Sequence, residues 1–216
     1  MRKYVTRVEL YFNQEDILNC NDKTLKNYKA RLGGIKCSLH LPNFPKDQKK
    51  IDLLVGSIDT IVSELSIEYC VLHADEYVKL KLNLPNIQLG VKFGLENSDL
   101  RKFGFQHLKE LQIFDLPAII DINHIEENKR GSLDREIKDL QNPILGIHFS
   151  SPQSGYFDSF PEIKTTHFPF TRSGYPLPKQ LPKNIPIIIE GAFPPNDEVL
   201  IEEEVLIIED NYFCLL

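Results

Sequence analysis

Seven short runs of apolar and β-branched residues recur along the chain: "VELYF" (8–12), "IKCSLHL" (35–41), "EYCVLH" (68–73), "LGVKFGLE" (89–96), "PAIID" (117–121), "PILGIHF" (143–149) and "IPIIIE" (185–190). Most are apolar at consecutive rather than alternate positions, the pattern of a strand buried on both faces. Between them lie stretches with helical spacing. In "DQKKIDLLVGSIDTIVSEL" (47–65), Ile51, Leu54, Val55, Ile58, Ile61, Val62 and Leu65 fall along one face. "DLRKFGFQHLKELQIF" (99–114) and "SLDREIKDLQ" (132–141) repeat that spacing, and each opens near an Asp or Ser fit to cap a helix. Residues 13–33 form a further stretch, stopped by Gly33-Gly34. Strand-like and helix-like segments in alternation predict βα units and a parallel sheet.

Composition narrows the class. A chain of 216 residues, 42% apolar and 26% charged, is expected to fold as one α/β domain over 1–216. No apolar run approaches the roughly 20 residues that cross a bilayer, so no membrane role is expected. "MRKYVTRVEL" has no apolar core behind its basic residues, unlike a signal peptide. Cys20, Cys37, Cys70 and Cys214 are scattered and form no CxxC pair. Cys37 and Cys70 sit in apolar runs, where buried free thiols are common, and a reducing cytoplasm is the expected setting. The net charge is −6, and no basic block exceeds "DQKK" or "NKRG", which weighs against a broad nucleic-acid footprint. GxGxxG, GxxxxGK[ST] and GxSxG are all missing, so the dinucleotide, P-loop and hydrolase-elbow variants lose support. Nine of the 14 prolines lie in 152–195, which marks that region as rich in loops.

The strand ends carry the chemistry. His40 closes "CSLH", His73 closes "CVLH", Glu96 closes "FGLE", Asp121 closes "AIID" and Glu190 closes "PIIIE". His148 lies in "GIHF", and His124 and His167 follow just beyond, in "IIDINH" and "TTHFPF". A single such residue is ordinarily a hydrogen-bonded rim residue. Eight of them at the same end of parallel strands fall where βα loops build active sites. Three carboxylates buried together would repel one another and resist ionisation. Divalent cations remove that cost, and imidazole with carboxylate suits zinc, manganese or iron. The set predicts a metal site. His107, inside a helical stretch, falls outside it.

Taken in order, "SLHLP", "VLHAD", "GLEN", "IIDINH", "GIHFS", "THFPF" and "PIIIE" resemble the xylose isomerase-like TIM-barrel superfamily, which includes endonuclease IV and sugar (phosphate) isomerases and epimerases. The resemblance covers about residues 6 to 195. It implies an α/β TIM barrel without the family's usual first strand, the apolar run "VLIIEDNYF" (205–213) then filling the vacant position. On the endonuclease IV pattern, His40, His73 and Glu96 hold one metal. Glu96 bridges to a second, completed by Asp121, His148 and Glu190. His124 and His167 belong to a third, where the pattern's Asp is replaced by Thr165. Zinc is the first expectation and manganese the second, as two or three ions.

Two chemistries follow from the resemblance. In a multinuclear phosphoesterase, ions activate a water against a phosphorylated sugar or an abasic-site phosphodiester. In a single-metal isomerase or epimerase, Glu96 and Glu190 move a proton between adjacent sugar carbons. The hydrolase accounts for His40 and His73, which the isomerase does not need. Glu96, Asp121 and Glu190 are the expected catalytic residues under the first reading. A barrel that binds metal but has lost catalysis is the third alternative, given Thr165. Arg172 in "FTRSGYP" is a candidate phosphate contact, and Tyr156, with Phe157 and Phe160, a candidate stacking surface. The loops are poor in Lys and Arg, which counts against DNA, and the oligomeric state stays open.

Overall fold

The computed structural model describes residues 7–83, 91–99, 101–102, 104–128, 132–160, 165–194 and 197–213. Cys214, the start of the fourth apolar run and most of "NKRG" lie outside them. The backbone divides into two compact units, Tyr4–Glu96 and Asn97–Leu216.

The N-terminal unit contains β1 (Arg7–Tyr11), α1 (Gln14–Leu18), α2 (Asp22–Leu32), β2 (Lys36–His40), α3 (Gln48–Leu65), β3 (Ile67–His73), α4 (Ala74–Asn83) and β4 (Lys92–Glu96). Its strands pair in chain order and all run parallel. Local chemistry sets the helix limits. Asn13, Asn21 and Asp47 each accept a first-turn N–H at the start of α1, α2 and α3. Gly33 ends α2 at φ 57, a left-handed cap that glycine adopts without steric cost. Helix α3 buries Ile51, Leu54, Ile58, Ile61 and Leu65, which join Leu39, Cys70 and Leu72 of the strands in one core. Each such side chain contributes about 1.5–3 kcal/mol.

The C-terminal unit contains β5 (Ala118–Asp121), α5 (Ile122–Asn128), α6 (Leu133–Asp139), β6 (Ile144–Phe149), β7 (Ile187–Ile189) and α7 (Glu198–Ile208). Its strands are again parallel and in chain order. The proline-rich connection from β6 to β7 holds a 3-10 turn, Gly155–Ser159, and one bridge from Ser151 to Phe168.

Two expectations are corrected. Among the described residues, the stretch 99–114 is helical only as a 3-10 segment, Leu108–Ile113, because Gly104 (φ 85) and Phe105 (φ 59) turn left-handed ahead of it. The run 205–213 is no strand and fills no strand position. It belongs to α7 and to a π-helical turn, Glu209–Phe213. Leu200, Glu204 and Ile208, four apart, are the buried residues of α7, and the Glu204 carboxylate takes the N–H groups of Phe170 (2.9 Å) and Thr171 (2.7 Å). A strand would place consecutive residues on opposite faces and lose that face.

Candidate metal centre

Strand ends place the donors. In the N-terminal unit the parallel register sets His73 opposite Glu96. His40 Nε2 lies 3.0 Å from Glu96 Oε2, and His73 Nδ1 lies 3.4 Å from the same oxygen. The two rings stand 5.3 Å apart. Glu96 is fully buried. His40 Nδ1 meets the Leu41 carbonyl at 3.1 Å, so a neutral His40 donates there and carries its lone pair on Nε2. A lone pair facing a carboxylate oxygen at that distance repels it unless a proton or cation lies between.

In the C-terminal unit the register sets Asp121 opposite His148. Glu190, just past β7, brings Oε2 to 3.6 Å from His148 Nδ1 and 3.3 Å from His167 Nδ1. Asp121 Oδ2 lies 3.7 Å from His124 Nδ1 and 3.9 Å from His167 Nδ1. Asp121, His124 and His167 each turn one ligand atom to within 4.8 Å of the others. Asp121 is fully buried, and His124 and His148 nearly so. An imidazole in its neutral form gives a buried carboxylate no countercharge. A divalent ion does, and this donor set fits one of the borderline metals.

Residues not singled out in the sequence hold these donors in place. Asn97, fully buried, donates its amide to the Asp121 carbonyl (3.1 Å) and accepts the Asp121 N–H (2.8 Å). Its own backbone carbonyl meets His124 Nδ1 at 2.8 Å. The Asp121 carboxylate in turn accepts the His124 N–H at 2.9 Å. Asn123 donates to the Thr166 carbonyl at 2.6 Å, joining α5 to the segment that carries His167. Ser150 Oγ lies 3.0 Å from His167 Nδ1. The position of Asn97 directly after Glu96 in "GLEN" was the one hint available; Asn123 and Ser150 left none.

Thr165 accepts the His167 N–H with its hydroxyl at 3.0 Å, and the Ala192 N–H reaches the His167 carbonyl at 3.0 Å. Gly191 permits this approach, since a Cβ there would stand 2.5 Å from Pro169 N. Arg172 is placed against Glu203 (2.6 Å), with its guanidinium over the Tyr156 ring at 5.4 Å. Phe157 is buried beneath the exposed Tyr156. His107 stands apart from the donors, its Nδ1 on Glu136 at 2.7 Å.

No family model matches the sequence, and no curated protein does. Solved structures do match. A D-tagatose 3-epimerase-like protein aligns over 95% of this chain and 90% of its own, with 17% identity and a TM-score of 0.61. A D-psicose 3-epimerase crystallised in the presence of D-fructose aligns over 94% of this chain and 88% of its own, with 11% identity and a TM-score of 0.65. The fold is that of a TIM barrel, shared with these two neighbours. Endonuclease IV from Thermus thermophilus, at a TM-score of 0.46 and 12% identity over 91% of this chain and 99% of its own, adds nothing to that conclusion. The TIM barrel supplies the reason for the donor pattern, because its βα loops gather at the C-terminal strand ends. Identities this low establish the fold and leave the reaction to the residues of the site.

Proposed function

We propose that this TIM barrel is a multinuclear divalent-metal enzyme that hydrolyses a phosphoester of a sugar, either a sugar phosphate or an abasic-site phosphodiester. One observation carries the reading. His40, His73 and Glu96 gather in the N-terminal unit, in addition to the Asp121, His124, His148, His167 and Glu190 set of the C-terminal unit. One ion does not need eight donors. We assign His40, His73 and Glu96 to one ion and Asp121, His148 and Glu190 to another. His124 and His167 share the Asp121 side. Zinc is the first choice and manganese the second.

Divalent ions bound there supply charge for the phosphoryl oxygens and lower the pKa of water. The protein's part is to hold carboxylates where that charge is needed. Asp121 is oriented by Asn97 and by the His124 backbone, and Glu190 is half-exposed, so it can reach a substrate. Arg172, as a phosphate contact, would first have to leave Glu203.

The test is elemental analysis followed by turnover. Metal-replete protein is expected to carry at least two ions per chain and to cleave a generic diester or an abasic-site duplex. Asp121→Asn and Glu190→Gln should abolish cleavage. A single ion per chain overturns the assignment. The second reading is a sugar epimerase or isomerase, supported by the names of the two structural neighbours above. It requires solvent deuterium to enter the sugar at C1, C2 or C3, with Glu96 and Glu190 both needed. Deuterium uptake without ester cleavage decides for it.

A further inference from the structure

The C-terminal unit has a cavity of about 480 Å³, within the range of small-molecule sites. We propose that it receives the uncharged, hydroxyl-bearing end of the substrate, leaving the phosphate to the metal centre; this rests on the reading above that the substrate is a sugar ester.

Chain connectivity places the cavity beside the donors. Glu126 and Glu127 of its lining follow His124 along α5, and Thr166, also in the lining, directly precedes His167. The Asn123–Thr166 bond ties α5 to the segment that carries Thr166.

The lining decides the chemical class. Among the described residues its one cation, Arg101, is already held by Asp99, with Nη2 and Nε at 2.6 and 3.1 Å from one oxygen. Burial opposes charge on Asp99, but the Arg101 bonds outweigh it and keep the carboxyl below its usual range. Glu126 and Glu127 then leave the wall with an excess of negative charge, which repels a phosphate. Hydroxyl groups meet no such barrier. They donate to the carboxylates, while the Gln153 amide donates to their oxygens. Tyr175 gives its hydroxyl to Glu126 at 2.6 Å, and burial and that carboxylate push its pKa up to about 12, so it stays a neutral phenol. The Tyr175 and Pro152 rings offer apolar faces to sugar C–H groups.

The experiment uses the zinc-loaded full chain and follows D-fructose and D-ribose binding by saturation-transfer NMR. Saturating inorganic phosphate should leave sugar binding intact, because the two occupy different places. Gln153→Trp, on an exposed loop position, should fill the cavity and weaken sugar binding about tenfold or more. Zinc content and phosphate binding should not change. Tyr175→Phe, which keeps the ring, should weaken sugar binding a few-fold if the bulkier variant does not fold. Displacement of the sugar by phosphate, or undiminished binding to both variants, overturns the proposal. So does fully zinc-loaded protein that binds neither sugar. Cavity-sensitive sugar binding in a chain that takes up no zinc would uphold the cavity as the sugar site and remove the metal reading on which the placement of the phosphate rests.

Discussion

Which nitrogen a histidine offers a metal is settled by what its other nitrogen touches. For His124 that partner is the Asn97 carbonyl, and for His167 it is Ser150 together with the nearby carboxylates. Asn97 therefore fixes two candidate donors at once, through its side chain for Asp121 and its backbone for His124. Asn97→Ala is expected to weaken metal binding in the C-terminal unit about 10–100-fold. Cobalt titration, read by its visible spectrum, should show one tight ion and one weakened ion. His107→Ala should behave oppositely, because His107 bonds Glu136 and no donor. It should lower urea stability by about 1–2 kcal/mol and leave metal content unchanged. Burial pushes the Cys70 thiol up to about 12, so at pH 8 it carries almost no thiolate. Native Cys70 should resist a thiol reagent that labels it on unfolding, as mass mapping would show.

At the scale of elements, three buried glutamates do similar work. Glu76 on α4 accepts the Phe44 N–H at 2.9 Å, Glu136 on α6 accepts the Leu108 N–H at 2.8 Å, and Glu204 on α7 accepts two. Each helix thereby holds a connecting segment whose backbone would otherwise be buried unsatisfied. Glu204 matters most for the site's surroundings, since Phe170 and Thr171 follow His167 closely. Glu204→Ala removes both acceptors and leaves two amides stranded. A loss of about 2–4 kcal/mol is expected in urea denaturation. Glu204→Gln should recover part of it, because one amide oxygen remains.

At the scale of the whole molecule, ion binding and folding are linked. Carboxylates on Glu96 and Asp121, both fully buried, are costly in the unmetallated chain. An ion present at about a hundred times its dissociation constant adds about 2.7 kcal/mol. For a chain of this length that corresponds to about 5–10 °C in Tm. Chelation should therefore lower Tm by about that amount for each ion removed, and zinc should restore it. A chelator that leaves Tm unmoved would mean that no ion was bound.

Strands, the principal helices and the placement of His, Asp and Glu at strand ends were legible in the sequence because they are local facts. A run apolar at every position reports burial on both faces, and a His, Asp or Glu at its end reports an exception to that burial. The run 205–213 was not legible in this way, since a short apolar run fits a buried strand or a helix equally well. Only the meeting of Glu204 with the Phe170 and Thr171 amides, more than 30 residues away in the chain, decided for the helix. The left-handed pair Gly104 and Phe105 likewise broke a helical spacing that the side chains alone supported. Asn123 and Ser150 have no distinguishing pattern, and Asn97 only its place after Glu96, because their roles lie in partners 43, 17 and 24 residues distant. Residue types that can bind metal were written in the chain; the hydrogen bonds that orient them exist only once the chain has folded.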